Sequence, residues 1–172
     1  GQLAPPTAGT EVFSVNAGGV GNVGTTPNVW PVGFATDMNI NTTTTGTSKY
    51  VITRLTNEYL EANGTQAGAA QVGTRWWDRP TGTIDLDTSW WSSGANVISY
   101  SWKRAPSFCD VVAYTGDSTS NRTIPHNLGV TPEMIWIKKR DAVQKWIVGS
   151  TVYSGGGHQS LNEAGAVEGV GA

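Results

Sequence analysis

PVGFATDMNINTTTTGTSKYVITRLTNEYLEANG, residues 31–64, is the stretch on which the fold turns. Phe34, Met38 and Ile40, then Tyr50 and Ile52, follow a period of two before the turn-flanked Tyr59 and Leu60. A strand sends successive side chains to opposite faces, so this alternation predicts half-buried strands. A helix over 50–62 is the rival, because Ile52, Leu55, Tyr59 and Leu60 also fit a 3.6-residue period. The threonine run 42–45, closed by Gly46, reads as a strand edge or a loop whose flat polarity gives register little to hold.

Composition favours the strand reading. Gly and Thr number 22 each, with 13 Ser and 11 Asn, while 25 Val plus Ile stand against six Leu. Branched side chains crowd the preceding turn of a helix and fit a pleated sheet, so the bias is toward β structure rich in turns. The chain of 172 residues is long enough for one ordinary core or two small ones. A start at Gly1 suggests a processed product or part of something longer.

Outward from the deciding stretch, residues 1–30 are rich in Gly, Pro and Thr and read as an extended arm or linker with one edge strand. On the other side lies an aromatic run with Trp76, Trp77, Trp90, Trp91, Tyr100 and Trp102. Adjacent tryptophans on a strand point to opposite faces. All the rings can therefore close the core and cover its rim, with indole N–H groups bonded to loops, or the outward rings can serve a subunit contact or the apolar face of a sugar. Beyond a junction at SWKRAPS, strands are expected at 111–114, 122–124, 134–138 and 145–148, the spacing of a small antiparallel sandwich. The expected architecture is all-β: a jelly-roll-like antiparallel sandwich over 31–104, a small β-sandwich module over 105–153, and a flexible or partner-held tail over 154–172. Residues 134–138 place Met134, Trp136 and Lys138 on one side and Ile135, Ile137 and Lys139 on the other, so the apolar middle of this strand calls for cover on both faces.

Charge excludes some function classes. Eleven basic and 13 acidic residues give a net charge of -2, without the basic footprint of a nucleic-acid binder. No apolar run reaches the length of a membrane span. Charged residues are only 14% of the chain, a surface suited to packed assemblies more than to a free monomer.

Residues able to carry chemistry are few. His126 and His158 stand apart from any metal-ligand spacing, and His126 in PHNLG reads as a loop-bonding side chain. The single cysteine, Cys109, reads as a buried inert thiol. Asp85 and Asp87 share a strand face, which suits paired-carboxylate glycoside hydrolysis or a cation, although a solvated edge fits as well; Glu58 and Glu61 are a second acidic pair. The GGVGNVG run at 18–24 lacks the Lys-Ser/Thr ending of a phosphate loop. Lys138, Lys139 and Arg140 mark the end of a strand, where lysine can blunt an exposed edge. Sequons at Asn41, Asn63 and Asn121 matter only in a secreted glycoprotein. No catalytic set, cofactor site or metal site emerges.

One stretch is recognisable. SWKRAPSFCDVVAYTGDSTSNRTIPHNLGVTPEMIWIKKRD, residues 101–141, resembles a module recurring in tail and fibre proteins of tailed bacteriophages, especially marine ones. The signature is carried by Trp102, Lys103, Arg104, Tyr114, His126, Asn127, Gly129, Pro132 and Trp136, among other matching positions, and extends to Trp146. In that family a concanavalin-like jelly roll commonly precedes the WKR junction, and further strands follow the second tryptophan strand. The C-terminal module here is therefore expected to be incomplete, or completed by a neighbour. The resemblance implies no catalytic residues. It implies a noncatalytic structural component of a virion, in the tail or tail fibre, with a role in host attachment open to it. The expected partners are copies of the same chain, a trimer by the resemblance, and neighbouring tail proteins. Two alternatives rest on the residues. One is a carbohydrate-binding module using Trp76, Trp77, Trp90 and Trp91 on host-surface glycan; the other is a glycan-degrading enzyme using Asp85 and Asp87.

Overall fold

A computed structural model describes residues 4–16, 28–43, 49–56, 58–70, 83–86, 97–153 and 156–169. After a 3-10 turn at Gly9–Glu11, the strands are β1 (Phe13–Asn16), β2 (Asn28–Pro31), β3 (Met38–Thr43), β4 (Tyr50–Thr53), β5 (Glu58–Glu61), β6 (Ala69–Ala70), β7 (Thr83–Leu86), β8 (Val97–Trp102), β9 (Met134–Ile137), β10 (Ile147–Ser150) and β11 (His158–Ser160). They form a six-stranded sheet in the order β1-β8-β3-β4-β5-β6, a three-stranded sheet β11-β10-β9, and the pair β2-β7. Every described ladder is antiparallel. The all-β expectation holds, and among the described residues no helix is long and apolar enough to cross a membrane.

The deciding stretch folds as strands. β3 pairs with β4 through Ile40↔Val51, and β4 with β5 through Val51↔Leu60, with turn residues 54–56 where the helical rival would continue. Val51 and Ile52 are consecutive and both buried, so this part of the sheet is covered on both faces. Upstream, Val32, Phe34 and Thr36 are buried while Gly33 and Ala35 are exposed, an alternation that belongs to no assigned strand. The arm over 1–30 contributes the edge strand β1, whose Phe13 ring lies 5.2 Å from that of Trp102.

On one face of the large sheet, Val51 and Leu60 form a core with Trp146, flanked by Met38, Ile40 and Ala62. Trp146 comes from the loop entering β10, so this core joins the two sheets. Its indole N–H donates to the Glu61 carbonyl at 2.7 Å. Polar bonds surround the joint: Gly68 N–H to Arg140 O at 2.6 Å, Gln144 N–H to Thr65 O at 2.9 Å, and Arg140 to Glu58 at 2.7 Å. The approach at Gly68 is close, since a Cβ there would lie 2.9 Å from Glu58 Oε2 and 3.3 Å from Arg140 O.

The opposite face holds a surprise. Alternation in MNINT would turn Asn39 and Asn41 to solvent, yet both are fully buried, as are Ser99 and Ser101 beside them. Asn39 Nδ2 donates to Ser99 Oγ at 2.7 Å, Tyr100 O at 2.9 Å and Ser101 Oγ at 3.0 Å. A buried amide must find such partners or pay its desolvation cost, and this row gives the β3–β8 pairing a polar lock.

The C-terminal unit differs from the expected four-strand sandwich. Residues 111–114 and 122–124 are not strands: Val112 and Tyr114 are 41% and 48% exposed, and among the described residues no neighbouring strand offers them a ladder. Alternating Val and Tyr describe a strand only where a partner is present. The third strand of this sheet, β11, lies in the segment expected to be flexible or held by a partner. β11 pairs with β10 through Val148↔Gln159, and His158 forms a further bridge with Glu168.

Candidate functional site

Part of the signature meets at a clasp at the junction after β8. Trp102 ends that strand with its ring against Phe13 and, at 6.2 Å, Tyr100. Lys103 N–H bonds to Val12 O at 2.8 Å, which carries the chain past β1. Arg104 then connects two acids: its backbone N–H donates to Asp37 Oδ2 at 2.7 Å, and its Nε lies 3.4 Å from Asp110 Oδ1. Asp37 also holds Arg54, and Asp110 accepts Asn127 N–H at 2.7 Å. One chain of charges thus ties the β3 start, the WKR junction and the PHNLG loop together. Ser107 N–H adds a bond to Leu128 O at 2.7 Å. Gly129 turns this loop at φ +72°, where a side chain would be strained. His126 accepts Leu128 N–H through Nδ1 at 3.3 Å, a local loop contact on an exposed side chain.

Cys109 lies inside the clasp. Burial, reinforced by the Asp110 and Asp37 carboxylates and partly opposed by Arg104, pushes its thiol up to about 11. A thiol so placed stays protonated at neutral pH and offers no thiolate.

The other acidic candidates separate. On β5, Glu58 and Glu61 are three residues apart and so point to opposite faces; Glu58 pairs with Arg140. Asp85 lies on β7 opposite Val29, while Asp87 falls outside the described residues, as do 18–24, Trp76, Trp77, Trp90 and Trp91. Of the sequons, Asn41 is buried, Asn63 Oδ1 accepts Lys49 N–H at 2.7 Å, and Asn121 is exposed in a turn. His158 meets Glu168 at 3.4 Å, and Glu168 also bonds Lys145 at 3.0 Å. Lys145 holds the Glu168 carboxyl below the usual carboxylate range and is itself raised by it. Among the described residues no three of His, Cys, Asp and Glu come together as a metal-ligand group.

Around Tyr114 the exposed turn forms an open cleft lined by Asp117, Ser118, Thr119 and Arg122. Arg122 fills much of its own surroundings, donating to Thr115 O at 2.6 Å, pairing with Asp117 at 3.2 Å and lying 5.9 Å from the Tyr114 ring centre.

The most unusual surface is β9. It lies at the edge of its sheet, and its four residues are all exposed: Met134 58%, Ile135 48%, Trp136 38% and Ile137 45%. On the inner side, Trp136 opposes the buried Val148 across the ladder, but the core that covers Trp146 and Val148 runs out one strand later. Trp136 turns its indole N–H back to Met134 Sδ at 3.1 Å. Of the predicted positions, the structure brings Trp102, Lys103, Arg104, Asn127 and Gly129 to the clasp and its loop, and sets Trp136 apart on the apolar edge. Sequence reasoning missed Asp37 and Arg54, which complete the clasp with Asp110. Asp110 lies within the recognisable stretch, but nothing local marks Asp37, 67 residues from Arg104, as its partner.

No curated protein and no solved structure matches the chain. Residues 13–171 match a domain family known as DUF7483, a domain of unknown function, and take in every described strand and the clasp; the chain belongs to that family.

Proposed function

We propose that this chain is a noncatalytic structural component of a tailed-phage virion, in the tail or tail fibre, where it assembles with copies of itself and with neighbouring tail proteins. The observation that supports this best is β9, an edge strand apolar on both faces and exposed on both. Soluble monomers protect such edges with charge, proline or a covering segment, because an open ladder with apolar flanks is a template for another chain. In an assembly the next subunit supplies that cover. Of the motif residues, Arg104, Asp110 and Asn127 bond to one another and brace the segment that follows β8. A brace of this kind suits a part that transmits load and presents a surface, and a role in host attachment follows from a tail position. Mass spectrometry of purified particles encoded by the same genome tests the reading. The chain is expected at a fixed ratio to known tail proteins, and its consistent absence from intact particles would refute it.

A further inference from the structure

We propose that β9 pairs edge to edge with β9 of a second copy of this chain, antiparallel about a two-fold axis at Trp136. The inference deepens the assembly reading above and concerns the purified chain, so it stands or falls separately from virion membership.

The backbone sets the geometry. Thr151 N–H donates to Glu133 O at 3.0 Å, so Glu133 faces β10. In an antiparallel ladder successive residues face alternate sides, which turns the N–H and C=O groups of Met134 and Trp136 to the open edge. An incoming antiparallel strand must match open-edge residues with open-edge residues. Centring the pair on Trp136 does so: Trp136 meets Trp136 of the second copy in a hydrogen-bonded pair, and Met134 meets Lys138.

Charge selects this register from its neighbours. With Trp136 at the centre, Ile135 lies opposite Ile137 and Glu133 opposite Lys139, and the symmetry makes each contact twice. A shift by two residues one way puts Glu133 opposite Ile137; a shift the other way puts Ile135 opposite Lys139. Both lose the Glu133–Lys139 contact and set one of those exposed charges against an apolar side chain, whereas the Trp136-centred register leaves only Lys138, whose ammonium is turned inward, opposite Met134. Glu133 is exposed, and Lys139 is 58% exposed with only a loose 3.9 Å approach to Asp141. Lys138, which could blunt the edge, is turned inward instead, donating to Thr65 O at 3.3 Å and Lys139 O at 2.8 Å. The product is one continuous six-stranded sheet, three strands from each copy, with the two Trp136 rings side by side where each core runs out.

The decisive experiment is sedimentation equilibrium on the full chain from about 1 to 200 µM, the range suited to a small interface. Wild type is expected to form dimers. Glu133→Lys and Lys139→Glu, both at exposed positions, are each expected to weaken dimerisation about 10-fold or more, because each creates two like-charge contacts across the axis. An equimolar mixture of the two variants restores opposite charges at both contacts and is expected to recover dimers to within about 3-fold of wild type. Circular dichroism confirms that each variant is folded. A monomer throughout the range, a trimer, or a dimer indifferent to the charge exchange would overturn the pairing, while the virion reading would be judged on particles alone.

Discussion

Replacing Trp146 with alanine removes the side chain that joins the two sheets. Trp146 is 5% exposed and packs on Val51 and Leu60, and its indole N–H is bonded to Glu61 O. Truncating a buried aromatic residue costs about 3–5 kcal/mol, because transfer and cavity effects add. A value near 4 kcal/mol is a large part of the roughly 5–15 kcal/mol that holds an ordinary domain together. With a urea slope of about 2 kcal/mol per molar, the midpoint falls by roughly 2 M. Urea unfolding followed by far-ultraviolet circular dichroism reads this shift directly, and hydrogen exchange shows where it acts. Amides of β4, β5 and β10 should lose protection together, since the core they share is the one removed. Trp146→Phe keeps most of the apolar contact but loses the donor to Glu61 O, and should fall between wild type and alanine. A midpoint within about 0.2 M of wild type for Trp146→Ala would refute the claim that this ring couples the sheets.

Three further outcomes follow from the structure. Asn39→Ala should destabilise by about 1–3 kcal/mol in denaturant titration, because it strands Ser99 and Ser101 hydroxyls in a buried row; the same change at Asn41, whose amide has no hydrogen-bond partner, should cost less. Cys109, with its thiol near 11, should react with a disulfide reagent at pH 8 at least about 100-fold more slowly in the folded chain than in urea, and equal rates would contradict its placement. The folded-state carboxyl of Glu168 titrates lower than in the unfolded chain, so its contribution is present above the ordinary carboxylate range and is lost as pH falls through the depressed value. Amide protection at His158 should therefore weaken on acidification in wild type and show a smaller pH response in Glu168→Gln.

Much of the β framework was legible because its signal is local. Met38 and Ile40, then Tyr50 and Ile52, alternate as strand residues must, and the apolar run at 134–137 announces a strand whatever surrounds it. The errors arise where a partner decides. Val112 and Tyr114 look like Val51 and Tyr50 in sequence, but only the latter have neighbouring strands. His158–Ser160 carries no apolar pattern, and its place in the sheet comes from backbone pairing with β10. The buried Asn39 reverses the usual reading of a polar face, because its burial is offset by side-chain bonds to Ser99 and Ser101 that hydropathy does not register. At the clasp, Arg104 and Asn127 were visible as motif residues, yet their joint role depends on Asp37 and Asp110, which only the folded chain brings to them.

The virion role proposed for the chain is tested most directly by composition analysis of intact particles. Particles purified from the source genome, stripped of loosely bound protein by high salt and digested for quantitative mass spectrometry, should contain this chain in constant stoichiometry with the other tail proteins. Its presence in the infected-cell lysate together with its absence from salt-washed particles would contradict the account.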